Sequence, residues 1–177
     1  STGKTTLVGA LALKLGLNFP AVVKEVARNI MMTQGFSRDD VNSLKMQHAI
    51  LVAQLEREKE GRECPIQICD RSAVDPIVYA VLTSNTAEEA RIRRNFLVNS
   101  PMFQAALEVY RQSTFLLLAP IPEWLVDDGV RLIEKQNQYF GVFKTELQRL
   151  GINFRIIGQD MRSQEERVVW VLGLLRC

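Results

Sequence analysis

Apolar residues follow two alternating patterns along this chain. Short runs of apolar, largely β-branched residues recur four times, near residues 21–26, 65–70, 114–119 and 153–158. Such runs are typical of strands that are buried on both faces. Between them, apolar residues recur every three or four positions, as in Leu7, Leu11 and Leu15, which predicts amphipathic helices. The alternation predicts a three-layer α/β fold, in which helices cover both faces of a mostly parallel sheet.

Polar residues predict where several helices begin and end. Ser37 and Asp40 have capping-box spacing, and the helix that follows is expected to run to about Glu60. Its charged end, residues 56–60, is expected to be a solvated face. Asp75-Pro76 predicts another helix start, with Asp75 as the N-cap. A substrate contact by Asp75 is the alternative.

The first six residues carry the most specific chemical pattern in the chain. Ser1-Thr2-Gly3-Lys4-Thr5-Thr6 matches the second half of the phosphate-binding loop G-x-x-x-x-G-K-[ST]. The first glycine of that loop, and the strand that leads into it, would lie upstream of Ser1. The chain is therefore expected to be one P-loop domain over residues 1–177, incomplete at its N-terminus, with about five strands including the upstream one.

The residue types in this loop suit the binding of a nucleoside triphosphate. Backbone N–H groups and the following helix N-terminus favour a phosphate, and Gly3 allows close approach of the backbone. Lys4 is expected to reach the β- and γ-phosphates, and the Thr5 hydroxyl to bind Mg²⁺. The alternative is a polar N-terminus on an ordinary helix.

A second stretch places an acid and a base at the end of an apolar strand. Asp70 and Arg71 follow Pro65–Cys69 directly. In a P-loop fold, an aspartate at this position can hold Mg²⁺ or orient an acceptor hydroxyl. Arg71 is expected to bind a substrate phosphate or to balance the charge of Asp70. The alternative for Asp70 is a helix cap.

Two further segments carry candidate substrate-binding residues. Glu25 and Arg28 follow the strand near residues 21–26, at the sheet edge where α/β folds bind ligands. A surface ion pair is the alternative for them. Asp127-Asp128-Gly129-Val130-Arg131 follows another strand, and it has the composition of a lid whose arginine closes on phosphates. An acidic helix N-terminus is the alternative here.

The order and spacing of these motifs resemble a known family. The set Ser-Thr-Gly-Lys-Thr-Thr, Glu25-x-Ala27-Arg28, Asp70-Arg71 and Asp127-Asp128-Gly129-x-Arg131 resembles AAA-like P-loop ATPase domains. These domains are grouped with the ribosylnicotinamide kinase domain of the bifunctional NAD-biosynthesis regulator. The resemblance covers nearly the whole chain and implies the nucleoside- and nucleotide-kinase-like branch of P-loop proteins.

The resemblance also implies a set of site residues. The nucleotide with its Mg²⁺ would be bound by Ser1, Thr2, Gly3, Lys4, Thr5, Thr6 and, near the purine, Gly158. The catalytic residues would be Lys4, Asp70 and Arg131, with Thr5 and Asp70 on the metal. The acceptor side would comprise Glu25, Arg28, Arg71 and Asp128.

Composition narrows the class of protein. The 177 residues are 47% hydrophobic and 24% charged, as in ordinary globular domains, and the net charge of +2 gives no electrostatic case for nucleic-acid binding. No apolar run approaches the ~18 residues of a membrane span, and no signal peptide is recognisable. The odd set Cys64, Cys69 and Cys177 indicates reduced thiols and a cytoplasmic protein. The one histidine, His48, leaves little room for histidine-based catalysis or metal binding.

Two functions are consistent with these features. The first is an ATP-dependent kinase that phosphorylates a hydroxyl of a small acceptor such as a nucleoside or riboside. The alternative is an AAA-type ATPase, or a nucleotide-dependent switch or binding module, without a small acceptor. Arg71 follows Asp70 where oligomeric AAA motors usually carry a water-activating glutamate, which favours the kinase.

Overall fold

The computed structural model describes residues 3–121 and 136–175 of the chain. A 3₁₀ turn at Arg38–Asn42 precedes the third of eight α-helices in this part of the chain. The helices are α1 Lys4–Leu15, α2 Ala27–Gln34, α3 Leu44–Glu60, α4 Val74–Leu82, α5 Ala87–Val98, α6 Pro101–Gln112, α7 Gln136–Arg149 and α8 Gln164–Leu174. The strands are β1 Val22–Val23, β2 Ile68–Cys69, β3 Phe115–Leu118 and β4 Phe154–Ile157.

The strands form two parallel pairs. β1 pairs with β2 in the register Val22 to Ile68, and β3 pairs with β4 in the register Phe115 to Phe154. Both pairs are joined through helices, as parallel strands require. Each strand lies inside the span that the apolar runs predict, but it is shorter at its ends.

Helices pack on both faces of the second strand pair. Phe115 and Leu117 contact a large core formed with α3, α4, α5, α6 and α7. Leu116 and Leu118 point to the opposite face and pack with Leu7 of α1 and with α8. This alternation is the layered α/β arrangement that the sequence predicts.

Two strands from different pairs line one large cavity. Residues of both β2 and β3 border a space of about 690 Å³, together with residues of α1, α7 and α8. The described residues show two separate pairs and not one sheet of five strands. The further strand expected ahead of Ser1 lies outside the printed chain and stays a prediction.

Candidate functional site

The N-terminus of α1 begins in the conformation that a phosphate-binding glycine provides. Gly3 is the N-cap residue and has a φ of 75°, a left-handed value that favours glycine. Its carbonyl accepts the first helical hydrogen bond, from the Leu7 N–H at 3.0 Å. The twelve-residue helix has no acidic side chain of its own in its first turn. Thr6 is exposed in this turn, and Ser1 and Thr2 lie outside the described residues.

A side-chain hydrogen bond joins the start of α1 to the end of β2. The Thr5 hydroxyl donates to Asp70 Oδ2 at 2.7 Å, across 65 positions of sequence. Asp70 is 7% exposed and directly follows β2, whose two residues are half-buried. The two residues expected on Mg²⁺ are therefore in contact.

The second oxygen of Asp70 is buried and has no hydrogen-bond partner among the described residues. Burying a carboxylate oxygen without a partner is costly, so this atom is suited to a cation or to another donor. Mg²⁺ in nucleotide sites binds to hard oxygen ligands, typically one or two protein groups plus phosphates and water. The hydroxyl of Thr5 and the carboxylate of Asp70 fit that donor set.

Arg71 continues the site into a buried ionic network. Its Nη1 donates to Asp75 Oδ1 at 2.7 Å, and its Nε lies 4.0 Å from Glu25 Oε2. Tyr139 of α7 also donates to Asp75 Oδ1, at 2.7 Å. Arg71 therefore balances Asp75 and Glu25, whereas its neighbour Asp70 contacts Thr5.

The pKa values in this network follow from its charges. Burial would lower the pKa of Arg71, but Asp75, Tyr139 and Glu25 outweigh it and raise that pKa well above its usual value. Burial would raise the pKa of Asp75, but the Arg71 charge and a hydrogen bond from the Ser72 backbone outweigh it and lower that pKa. Lys4 contributes to the same lowering, so the loop lysine acts electrostatically on this network. Both side chains are held in their charged forms.

The predicted N-cap role of Asp75 is wrong. α4 begins at Val74, and its N-cap residue is Ala73. Asp75 lies in the first turn, and its carboxylate accepts from the Ser72 N–H at 3.0 Å as well as from Arg71 and Tyr139. These partners hold the Asp75 carboxylate in the first turn of α4, because each of them donates a hydrogen bond to it.

Two cavities meet at this network. The larger one, of about 690 Å³, includes Lys4 and Asp70 in its lining. A smaller one, of about 50 Å³, includes Glu25 and lies between α2, α3 and α4. The residues that line both cavities are Arg71, Ser72, Asp75 and Tyr79.

The remaining candidates lie apart from this meeting point or outside the described residues. Arg28 is exposed on α2 and does not line the smaller cavity. Gly158 forms the turn after β4, where a Cβ would overlap the Asp160 carboxylate. Gln159, next in that turn, donates to the Pro120 carbonyl at 2.7 Å. Asp128 and Arg131 fall outside the described residues, so the lid remains a prediction.

The end of α3 is not wholly the solvated face that its charges predict. Glu58 is 6% exposed, and its carboxylate accepts from Tyr110 Oη at 2.8 Å and from Gln54 Nε2 at 2.9 Å. Gln47, Gln54 and Glu58 are buried on the same helical face as Leu51 and Leu55. That spacing of three and four positions was the available signal that these polar residues point inward.

Burial raises the pKa of Glu58 to about 7, against opposing effects of the Gln54 and Tyr110 hydrogen bonds and the Arg62 charge. The negative charge of Asp75 raises the pKa of Glu58 further. The usual pKa of a glutamate side chain is 4.5. The folded protein holds the Glu58 proton more tightly than the unfolded chain does. The contribution of protonated Glu58 to the free energy of unfolding is therefore fully present below pH 4.5 and is lost as the pH rises through about 7.

Glu58→Gln is expected to remove this part of the pH dependence. At about 1.36 kcal/mol per pKa unit, the wild type should lose roughly 3 kcal/mol relative to the variant between pH 4.5 and pH 8. Urea unfolding of both proteins across this range measures the difference. Glu60→Gln, an exposed change on the same helix, should follow the wild type. Parallel pH profiles for wild type and Glu58→Gln would contradict the assignment.

Comparison with known proteins identifies the family to which this domain belongs. A protein-family model described as an AAA domain matches residues 1–167. Searches of curated proteins and of solved structures returned no match. Among the helices of residues 3–121 and 136–175, none has the length and apolar character needed to cross a bilayer. The family match and the loop residues at α1 together indicate a nucleotide-binding P-loop protein, and the chain belongs to the AAA-domain family.

Proposed function

We propose that this protein is an ATP-dependent kinase that transfers the γ-phosphate of Mg·ATP to a hydroxyl of a small acceptor of the nucleoside or riboside type. One observation carries the proposal: Asp70, which contacts Thr5, lines the larger cavity, and its neighbour Arg71 lines both that cavity and a second, smaller one. A kinase needs two neighbouring spaces, one for the nucleotide and one for the acceptor. An ATPase without an acceptor has no use for the second.

The start of α1 and the end of β2 carry the groups that suit a triphosphate. Lys4 and the N-terminus of α1 supply positive charge, and Thr5 and Asp70 supply oxygen ligands for Mg²⁺. When bound, Mg²⁺ compensates the negative charge of the phosphates. Arg131 is proposed to add a further cation, and the Gly158 turn to lie near the purine.

The smaller cavity, of about 50 Å³, is proposed to receive one edge of the acceptor, since it is too small for a whole nucleoside. Its entrance is shared with the larger cavity at Arg71 and Asp75, whose charges balance each other. The acceptor hydroxyl would approach Asp70, whose free oxygen can orient it and accept its proton. The hydroxyl oxygen then bonds to the γ-phosphorus, the bond to the bridging oxygen breaks, and ADP leaves. Positioning and charge compensation provide most of the catalysis in such transfers.

ADP release from Mg·ATP by the protein tests the proposal. The rate is measured alone and with each member of a panel of nucleosides and ribosides. Strong stimulation by one acceptor, with a phosphorylated product seen by mass spectrometry, is the expected result. Release at ~1 s⁻¹ or faster that no acceptor changes would reject the kinase in favour of the ATPase or switch.

A further inference from the structure

Two buried side chains hold the backbone that follows Asp70. The Ala73 N–H donates to Tyr110 Oη at 2.9 Å, and the Arg71 carbonyl accepts from Gln54 Nε2 at 2.9 Å. Ala73 is the N-cap residue of α4, a position whose N–H has no acceptor within the helix. One side chain from α3 and one from α6 therefore fix the chain between β2 and α4.

Glu58 orients both of these side chains. Its carboxylate accepts from Gln54 Nε2 at 2.9 Å and from Tyr110 Oη at 2.8 Å. All three side chains belong to residues that are at most 6% exposed. An ionised carboxylate only accepts, so it matches the two donors. Protonation adds an O–H to a cluster in which both neighbours already donate to Glu58, so the ionised form suits these hydrogen bonds better.

Asp70 lies directly beside this clamped backbone. Its N–H donates to the Val23 carbonyl at 2.9 Å, and its carboxylate accepts from the Thr5 hydroxyl at 2.7 Å. The Arg71 carbonyl is only one residue further along, so a shift of the backbone there moves the Asp70 carboxylate relative to Thr5. In an active site, a displacement of about 1 Å can lower the rate about 10²-fold.

We propose that Glu58 is a positioning residue, which acts through Gln54 and Tyr110 to hold Asp70 where it can bind Mg²⁺ together with Thr5. The inference rests on the proposed function in taking these last two residues as the metal ligands, and it applies equally to a kinase and to an ATPase. Ionised Glu58 supports the arrangement, and protonated Glu58 weakens it.

The groups that face Glu58 leave it as the one that titrates near neutral pH. Tyr110 faces it from α6, Cys69 from β2, Asp75 from α4 and Arg62 from the turn after α3. Burial raises the pKa of Cys69 and of Tyr110, so both stay neutral. The Arg71 charge and the Ser72 N–H outweigh burial and lower the pKa of Asp75, which stays ionised.

This arrangement predicts opposite pH trends for stability and for metal binding. With a pKa of about 7, Glu58 is about one-tenth ionised at pH 6 and about nine-tenths ionised at pH 8. The free energy of unfolding falls over this range, because protonated Glu58 is the more stable form in the folded protein. The positioning of Asp70 improves over the same range. If Glu58 had a structural role alone, metal binding would instead follow stability.

Binding of an unhydrolysable ATP analogue tests the proposal without transfer. Its Kd is measured by calorimetry with Mg²⁺ and with EDTA, at pH 6 and pH 8, for the wild type and for Glu58→Gln. At pH 8 the gain in affinity from Mg²⁺ should be at least about tenfold smaller in the variant, the lower end of the effect of groups that hold metal ligands in place. The ratio of the wild-type gain to the variant gain should rise about 5- to 10-fold from pH 6 to pH 8, following the ionisation of Glu58.

Hydrogen exchange at one backbone amide gives a second measurement that needs no nucleotide. Tyr110→Phe removes the acceptor of the Ala73 N–H, so this amide should exchange about 2- to 10-fold faster than in the wild type. The gain from Mg²⁺ should fall in this variant as it does in Glu58→Gln. Glu60→Gln, an exposed change on α3, should match the wild type in both measurements.

Three results would overturn the positioning role. They are a wild-type protein with no gain from Mg²⁺, equal gains in the wild type and Glu58→Gln at pH 8, and a ratio of the two gains that stays constant or falls as the pH rises. Should Glu58→Gln fail to fold, Tyr110→Phe decides by the same measurement of the gain at pH 8.

The outcome for the kinase is separate. A gain from Mg²⁺ that depends on Glu58, without acceptor-stimulated ADP release, would reject the kinase and keep the positioning role. Acceptor-stimulated release with a gain that Glu58→Gln leaves unchanged would do the reverse.

Discussion

Asp70→Asn is expected to abolish phosphoryl transfer while ATP binding stays nearly unchanged. The asparagine can still accept the Thr5 hydroxyl bond, so the junction of α1 and β2 should persist. It loses the negative charge that suits Mg²⁺ and the basic oxygen that would orient the acceptor. Loss of such a group typically lowers kcat by about 10²- to 10⁴-fold. Acceptor-dependent ADP release measures transfer, and calorimetric titration with an unhydrolysable ATP analogue measures binding.

Asp39→Asn is the matched control for this change. Asp39 is an exposed aspartate in the 3₁₀ turn that lines neither cavity, so its variant should keep the wild-type rate. Transfer by Asp70→Asn at near wild-type rate would eliminate Asp70 from the mechanism. Equal unfolding temperatures in the two variants would assign any loss to chemistry and not to folding.

Asp75→Ala is expected to lower the free energy of unfolding by about 3–5 kcal/mol, because it leaves the buried Arg71 charge poorly compensated. Glu25, 4.0 Å from the Arg71 Nε, is too distant to replace a 2.7 Å contact. The change also removes the acceptor of Tyr139, which connects α4 to α7. Denaturant unfolding at pH 7 measures the loss.

Two further proteins separate the ion pair from other effects. Glu60→Ala breaks an exposed 3.0 Å pair with Arg57, where the expected loss is below about 1 kcal/mol. The double variant Arg71→Met, Asp75→Ala removes both charges, and it should be more stable than Asp75→Ala alone. If Asp75→Ala costs no more than Glu60→Ala, the network does not stabilise the site as described.

Sequence reasoning succeeded where a pattern is local. The capping box at Ser37 and Asp40 is confirmed, with the Ser37 N–H donating to Asp40 Oδ2 at 2.7 Å. It begins a 3₁₀ turn, however, and the predicted start of the long helix is wrong, because the helix that ends at Glu60 begins at Leu44 with Ser43 as its own N-cap. The four apolar runs each contain a parallel strand, although only Val23, Leu117, Leu118 and Ile157 of the strand residues are buried. In both cases the information lies within a few consecutive residues.

Sequence reasoning failed where a polar side chain finds a distant partner. Asp75 resembles an N-cap beside Pro76, but Tyr139, 64 positions later, helps to hold it inside the helix. Glu58 lies in a charged pentapeptide, but Tyr110 holds it in the core across 52 positions. Only the packing of α3, α4, α6 and α7 decides which polar residues turn inward.

The candidate site contains residues that sequence motifs identify and a residue that only the structure identifies. Thr5 and Asp70 belong to separate motifs that a P-loop fold brings together, and their side chains are in contact at 2.7 Å. Their proposed roles in metal binding and catalysis remain predictions. Gln54 belongs to no motif, and its contact with the backbone of Arg71 is visible only in the structure.

β2 and β3 do not pair with each other, because β2 pairs with β1 and β3 pairs with β4. This separation affects how the chain folds in a crowded solution. Each pair joins strands far apart in sequence, Val22 with Ile68 and Phe115 with Phe154, so forming either pair closes a long loop and is expected to be slow. Until then, apolar strands with unsatisfied backbone groups are templates for strands of other molecules. Edge-to-edge aggregation therefore competes with folding during synthesis, and a chaperone that binds extended apolar segments would favour the native outcome.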